Sequence, residues 1–184
     1  MLNLKEREQV IDYSKRLNTT NLSPLRSGNI SVRGFQEEVE GFFITPSGKK
    51  YEVLKPEDIV FLSLNEEKDF LSWFNLGKNP SSEWRFHQDI YKNKWEAKAI
   101  VHAHSPNATA VSSHGKAIPA FHYMIALAGG EDIKCSEYAT FGTNELSMNI
   151  IRALENRKAC LMSNHGQVAF GKNLSTAFEL AQEV

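Results

Sequence analysis

The 184-residue chain has only two cysteines, Cys135 and Cys160, too few and too widely spaced for a disulfide framework or a cysteine-based zinc site. Both read as buried thiols. It also lacks an excess of either charge: 21 Lys and Arg stand against 22 Asp and Glu, a net charge of -1. That balance excludes the basic field that nucleic acid or an anionic membrane would ask for, so neither is expected as a partner. A small anion is still open to it, because a few aimed backbone amides suffice. No apolar run approaches the roughly 18 residues of a membrane span, and the start, Met1 to Glu8, is charged where a signal peptide is apolar. A cytoplasmic location is the expectation. With no repeat and no Pro/Gly-rich linker, residues 1–184 read as a single domain.

What is present is a mixture of strand and helix patterns. Residues 4–18 have helical spacing, with Leu4, Val10, Ile11 and Leu17 on one side. Short strands follow near Ser27 to Arg33, Gly41 to Ile44 and Ile59 to Leu64, the second closed by the turn Thr45-Pro46-Ser47-Gly48. The connection 65–79 is polar except for Phe70, Trp73 and Phe74, which are expected to pack locally. A helix is expected from Pro80, with Trp84, Ile90 and Tyr91 in helical register and His87 packing on its face. Ala99 to His104 reads as a strand, Ser105-Pro106 as the start of a helix, and Gly115 as its stop. Beyond a weak strand near Ile133, Thr143 should cap a helix carrying Leu146, Ile150 and Leu154. Cys160 to Met162 and Val168 to Phe170 form a hairpin about Asn164-His165-Gly166, and Ser175 should cap a last helix. Hairpin-linked strands flanked by helices predict an α/β fold with a largely antiparallel sheet.

The chemistry concentrates at Val101-His102-Ala103-His104. On a strand, residues i and i+2 face the same way, so both imidazoles converge; on a helix they would diverge by about 200°. Six histidines in 184 residues give only about 0.2 such pairs by chance, so the pair alone is suggestive and no more. His165, in a tight turn between apolar strands, is the third nitrogen that an open, catalytic cation site would take. Glu83 is the candidate acid/base, although Ser81-Ser82-Glu83 also reads as ordinary helix capping. The same helix start, with Ser27-Gly28-Asn29 and Thr45-Pro46-Ser47-Gly48, can present backbone N–H groups to a phosphate. None of these loops matches a nucleotide-binding pattern. Tyr123 reads, from the residues alone, as core packing.

Seven segments in order resemble the class II aldolase/adducin family: Gly28 to Ser31, Ile44 to Gly48, Pro80 to His87, Val101 to His104, Ile118 to Met124, Tyr138 to Gly142 and Asn164 to Gly166. The resemblance implies a three-layer α/β/α fold about a mainly antiparallel central sheet. It also implies a homotetramer with active sites at subunit interfaces. By the same resemblance, His102, His104 and His165 are ligands to one divalent metal per subunit, usually Zn2+, and Glu83 is the acid/base. Gly28, Asn29, Ser47, Gly48, Ser81 and Ser82 hold the phosphate of a phosphorylated sugar, and Tyr123 handles a proton in a neighbouring subunit's site. The implied reaction is reversible cleavage of a ketose-1-phosphate such as L-fuculose-1-phosphate to dihydroxyacetone phosphate and a small aldehyde, with the cation as Lewis acid.

Three other readings share the scaffold: a 4-epimerase acting on L-ribulose-5-phosphate, a dehydratase of a methylthio-pentulose phosphate, and a metal-free adducin-like interaction module. The epimerases carry Asp where Glu83 stands and another near Tyr123-Met124, and retention of the histidines disfavours the module. Three departures stand out: residues 65–79 are longer than the family pattern, Arg26-Ser27 precedes Gly28 where a Thr is expected, and the family continues past Val184 through more helix and a tail.

Overall fold

The computed structural model describes residues 2–24, 27–65, 77 and 79–184. The expectations for Arg26 and for Phe70, Trp73 and Phe74 lie outside these residues. Helix α1 (Leu4–Thr19) leads into strands β1 (Asn29–Gln36), β2 (Val39–Ile44) and β3 (Val60–Ser63). Helix α2 (Trp84–Asn93), strand β4 (Ala99–Ala103) and helix α3 (Pro106–Ser112) follow, then the two-residue β5 (Cys135–Ser136). Helix α4 (Asn144–Ala153), the hairpin β6 (Ala159–Met162) and β7 (Gly166–Gly171), and helix α5 (Leu174–Glu183) complete the described chain. Among the described residues no helix is long and apolar enough to cross a membrane.

The seven strands form one sheet in the order β3-β2-β1-β4-β7-β6-β5, antiparallel at every pair except β5 with β6. Helices cover both faces, which is the expected three-layer α/β/α arrangement. The period-2 alternation of side chains sorts the strands between the layers. Phe43, Val101 and Ala169 pack with Val10, Ile11 and Leu17 of α1 and Phe178 of α5. Their neighbours Phe42, Ile100 and Val168 pack on the other face with Trp84, Phe86 and Ile90 of α2 and Leu146 and Ile150 of α4. Burial on both faces explains why the strands read as apolar runs rather than alternating ones.

Several local expectations are met and some are corrected. Thr143 caps α4, its Oγ1 accepting from the Leu146 N–H at 3.2 Å. Ser105 and Pro106 start α3 as read, but the Ser105 hydroxyl accepts from Gln167 Nε2 rather than from its own helix. The cap of α5 is Asn173, not Ser175: its Oδ1 takes the Thr176 N–H at 2.9 Å and the helix begins two residues early. Asn173 is the better cap because its short amide folds back onto the helix N-terminus. Cys160 is buried as expected, whereas Cys135, on the short edge strand β5, is partly exposed; both are free thiols.

Candidate metal centre and anion cleft

The register of β1 against β4 sets Asn29 opposite His102. His102, the last residue but one of β4, shares the α2 face with Ile100, and His104, one residue beyond β4, keeps the alternation. The two imidazoles meet with Nε2 atoms 2.9 Å apart. His165 arrives from the β6–β7 turn, where Asn164 adopts a left-handed backbone (φ 54°) and its N–H is tied to Ser112 O at the end of α3. Gly166 follows because a Cβ there would sit 2.5 Å from Ala103 O and 2.9 Å from the His104 ring. The three rings stand nearly perpendicular, with centroids 4.8 to 4.9 Å apart, and their ligating nitrogens all lie within 4.8 Å of one another.

The donor set fits a divalent cation. His102 Nδ1 donates to Gln167 O at 2.8 Å, which fixes the ring and turns its Nε2 toward the cluster. Burial, reinforced by His102 and His165, pushes His104 down to about 3, so its ring is neutral at pH 7. Two ring nitrogens 2.9 Å apart need a proton or a cation between them. Glu83 completes the cluster: Oε2 is 3.1 Å from His102 Nε2, and Oε1 is 3.2 Å from His165 Nε2 yet makes no hydrogen bond. Burial alone would push the Glu83 carboxyl up, but the facing His102 and His165 outweigh it and hold the group well below the usual carboxylate range.

Glu83 is where the capping expectation gives way. It occupies the N-cap position of α2 but makes no side-chain cap; the helix itself starts at Trp84. The carboxylate turns across the sheet instead, where Asn29 Nδ2 donates to its Oε2 at 2.9 Å. Ser81 and Ser82 lie in the turn ahead of the helix, and the Glu83 N–H makes a long bond, 3.3 Å, to Ser81 Oγ.

All six residues expected to hold phosphate line one cleft of about 270 Å³: Gly28, Asn29, Ser47, Gly48, Ser81 and Ser82, with Glu83 in its wall. Gly28 admits close backbone packing there, since a Cβ would lie 2.5 Å from His102 O. Ser82 and Glu83 also line a second cleft, of about 360 Å³, with His104, His165, Tyr138 and Phe141. Glu83 therefore stands on the wall between this polar cleft and the histidine cluster.

Tyr123 is the expected site residue that the fold does not bring in. It lies on the 3-10 segment Tyr123–Ala128, is 80% exposed, and lines neither cleft. The residues missed from the sequence are Tyr138 and Phe141 at the second cleft, and His87 behind Glu83. Tyr138 and Phe141 carry no ligand signature of their own; their position inside the family-like segment Tyr138 to Gly142 is the available clue.

A partly buried three-histidine cluster with an adjoining carboxylate and a polar cleft, at the end of a strand in a mainly antiparallel sheet, defines a metal-dependent class of enzyme. The profile of the Class II Aldolase and Adducin N-terminal domain matches residues 8–184. The chain belongs to this family, and it is a lyase. It is 46% identical over 178 residues to a 5-methylthioribulose-1-phosphate/5-deoxyribulose-1-phosphate aldolase of Rhodospirillum rubrum, covering 97% of this chain and 76% of that one. It is likewise 46% identical over 176 residues to the L-fuculose phosphate aldolase of Escherichia coli, covering 96% and 77%. A solved L-fuculose 1-phosphate aldolase superposes with a TM-score of 0.87 at 38% identity, covering all of this chain and 82% of that one.

Proposed function

We propose that this chain is the catalytic domain of a ketose-1-phosphate aldolase, releasing dihydroxyacetone phosphate and a small aldehyde. The observation that carries the reading is the Glu83 carboxylate, 3.1 Å from His102 Nε2 and on the wall shared by the two clefts. His102, His104 and His165 would hold the cation, with zinc expected from three imidazole nitrogens. When bound, it supplies Lewis acidity that draws negative charge onto the carbonyl oxygen of the substrate.

The remaining steps belong to the chain. Gly28, Asn29, Ser47, Gly48, Ser81 and Ser82 receive the phosphate and so fix the reacting end beside Glu83. In condensation the ionised Glu83 takes the proton from C3 of dihydroxyacetone phosphate, the C3 electron pair forms the C3–C4 bond, and the aldehyde oxygen, gaining the C=O π pair, is protonated from Tyr123. Solvent returns a proton from Glu83 to Tyr123, and cleavage is the reverse. Tyr123, exposed on its own copy, would serve the aldehyde oxygen in a neighbouring copy's site within a homotetramer. Residues 1–184 act as one domain in this reading, in the cytoplasm.

The relatives divide over the leaving aldehyde. Breaking C3–C4 of a 5-deoxypentulose leaves two carbons, while a 6-deoxyhexulose such as fuculose leaves a three-carbon hydroxyaldehyde. The ordered motifs favour the fuculose type; Glu83 in place of Asp disfavours the 4-epimerase. Purified protein should contain about one metal ion per chain and release dihydroxyacetone phosphate from L-fuculose-1-phosphate, 5-deoxyribulose-1-phosphate or 5-methylthioribulose-1-phosphate. Metal-free, inert protein would overturn the reading, as would epimerisation of L-ribulose-5-phosphate without cleavage.

The anion cleft gives a separate expectation. Ser82→Ala should raise KM for the phosphorylated ketose by roughly 10-fold or more, the worth of one hydrogen bond to a charged group. Metal content should stay unchanged. An unaltered KM would remove Ser82 from the phosphate site.

A further inference from the structure

Behind Glu83 a line of polar side chains runs into the interior, away from solvent. Asn29 Nδ2 donates to Glu83 Oε2 at 2.9 Å, and Asn29 Oδ1 bonds His87 Nε2. On its other side His87 Nδ1 lies 2.7 Å from Ser31 Oγ, which lies 2.8 Å from the Tyr91 hydroxyl. Asn29, Ser31, His87 and Tyr91 are all buried. Helical spacing predicts simple packing for His87, because its neighbours Trp84, Phe86 and Ile90 are apolar; its partners come from β1, more than fifty residues away in sequence.

The ladder exists because two periods match. Glu83, His87 and Tyr91 recur every four residues along one helix face, a rise of about 6 Å. Asn29 and Ser31 recur every two residues on one strand face, a rise of about 6.6 Å. The rungs of the strand therefore fall between those of the helix.

The hydrogen bonds can run in only one direction. Asn29 presents its amide N–H to Glu83 Oε2 and so keeps Oδ1, which only accepts, for His87. His87 Nε2 must then carry the proton. Burial, with His102 adding to it, pushes the His87 imidazole down to about 3, so the ring is neutral and Nδ1 is bare. Nδ1 accepts from the Ser31 hydroxyl, whose oxygen accepts from the Tyr91 hydroxyl, a phenol that burial keeps protonated.

We propose that His87, backed by Ser31 and Tyr91, is a positioning residue that locks the Asn29 amide in one orientation. Turned over, Asn29 would aim its carbonyl oxygen at the Glu83 carboxylate and leave two donors facing His87. The lock keeps a donor on Glu83 and sets the polarity of Asn29 in the wall of the anion cleft. Its catalytic consequence rests on the aldolase reading; the orientation itself does not.

Two measurements test it on the metal-loaded protein. In 15N-histidine NMR, His87, assigned by loss of its signals in His87→Phe, should be the neutral Nε2–H tautomer at pH 7. In kinetics, His87→Phe should lower kcat for the cleaved ketose-1-phosphate by about 10- to 100-fold with the metal retained. His87→Gln, which offers an amide N–H near the same place, should stay within about fivefold of the parent. In an Asn29→Ala background, His87→Phe should add less than about twofold, since its effect passes through Asn29. Should His87→Phe fail to fold, Ser31→Ala replaces it, identifying His87 by its altered Nδ1 shift, with a smaller loss in kcat that Asn29→Ala again absorbs.

An Nδ1–H or doubly protonated His87 would overturn the proposal. So would costs that multiply between His87 and Asn29, or His87→Gln as damaged as His87→Phe while folded and metal-loaded. A parent protein that cleaves no ketose-1-phosphate would overturn the aldolase reading instead, leaving the tautomer to decide the lock.

Discussion

His104→Ala is expected to lower ketose-1-phosphate cleavage by at least about a thousandfold, and dialysis against a chelator should do the same to the parent protein. The size follows from the chemistry: a Lewis acid at a developing oxyanion supplies several kcal/mol, and about 4 kcal/mol is a factor of a thousand. His104 is the cleanest member of the triad to remove. It lies just past the end of β4 and is half-buried, so its loss leaves the sheet intact. His102 is fully buried between Phe86 and the other imidazoles, and its Nδ1 occupies Gln167 O, so His102→Ala would add a stability cost to the loss of a ligand. Metal content by elemental analysis, read alongside dihydroxyacetone phosphate release, makes the check. Full metal occupancy with parental turnover in His104→Ala would remove the histidine cluster from the chemistry.

Glu83→Gln should lower kcat by about a hundred- to ten-thousandfold while the protein keeps its metal. The substitution preserves the shape of the side chain and can still accept from Asn29 Nδ2, but an amide cannot carry a proton to or from carbon. The carboxylate is poised for that role: His102 and His165 keep it ionised despite burial, and one oxygen makes no hydrogen bond. Loss of metal in parallel with activity would recast Glu83 as a support for the histidines. Turnover within about threefold of the parent would exclude it as the acid/base group.

Much of this was legible in sequence where the determinants are local. The His102 and His104 pair needed only the strand period to converge, and the tight turn at Asn164 and Gly166 needed only its own residue types. Thr143 announced its helix for the same reason. Glu83 shows the limit: its neighbours Ser81 and Ser82 favour the capping reading, and only the approach of Asn29 and His102 turns the carboxylate into the cluster. Asn173 displaced Ser175 because two polar residues competed for one helix start. Tyr123 was bottom-up core by its apolar surroundings, yet stands 80% exposed, because its segment is a 3-10 turn rather than a strand or core helix.

The sequence by itself determined the family, the mainly antiparallel α/β architecture and the three histidines, because strand alternation, turn chemistry and ordered motifs act over a few residues. Tertiary structure alone decided what surrounds them. The antiparallel register of β1 on β4 set Asn29 against His102, and the packing of α2 over β1 brought Glu83, His87 and Tyr91 onto the same polar line. Those partners are separated by fifty residues or more along the chain, so their contact depends on sheet register and helix placement, which no local pattern encodes.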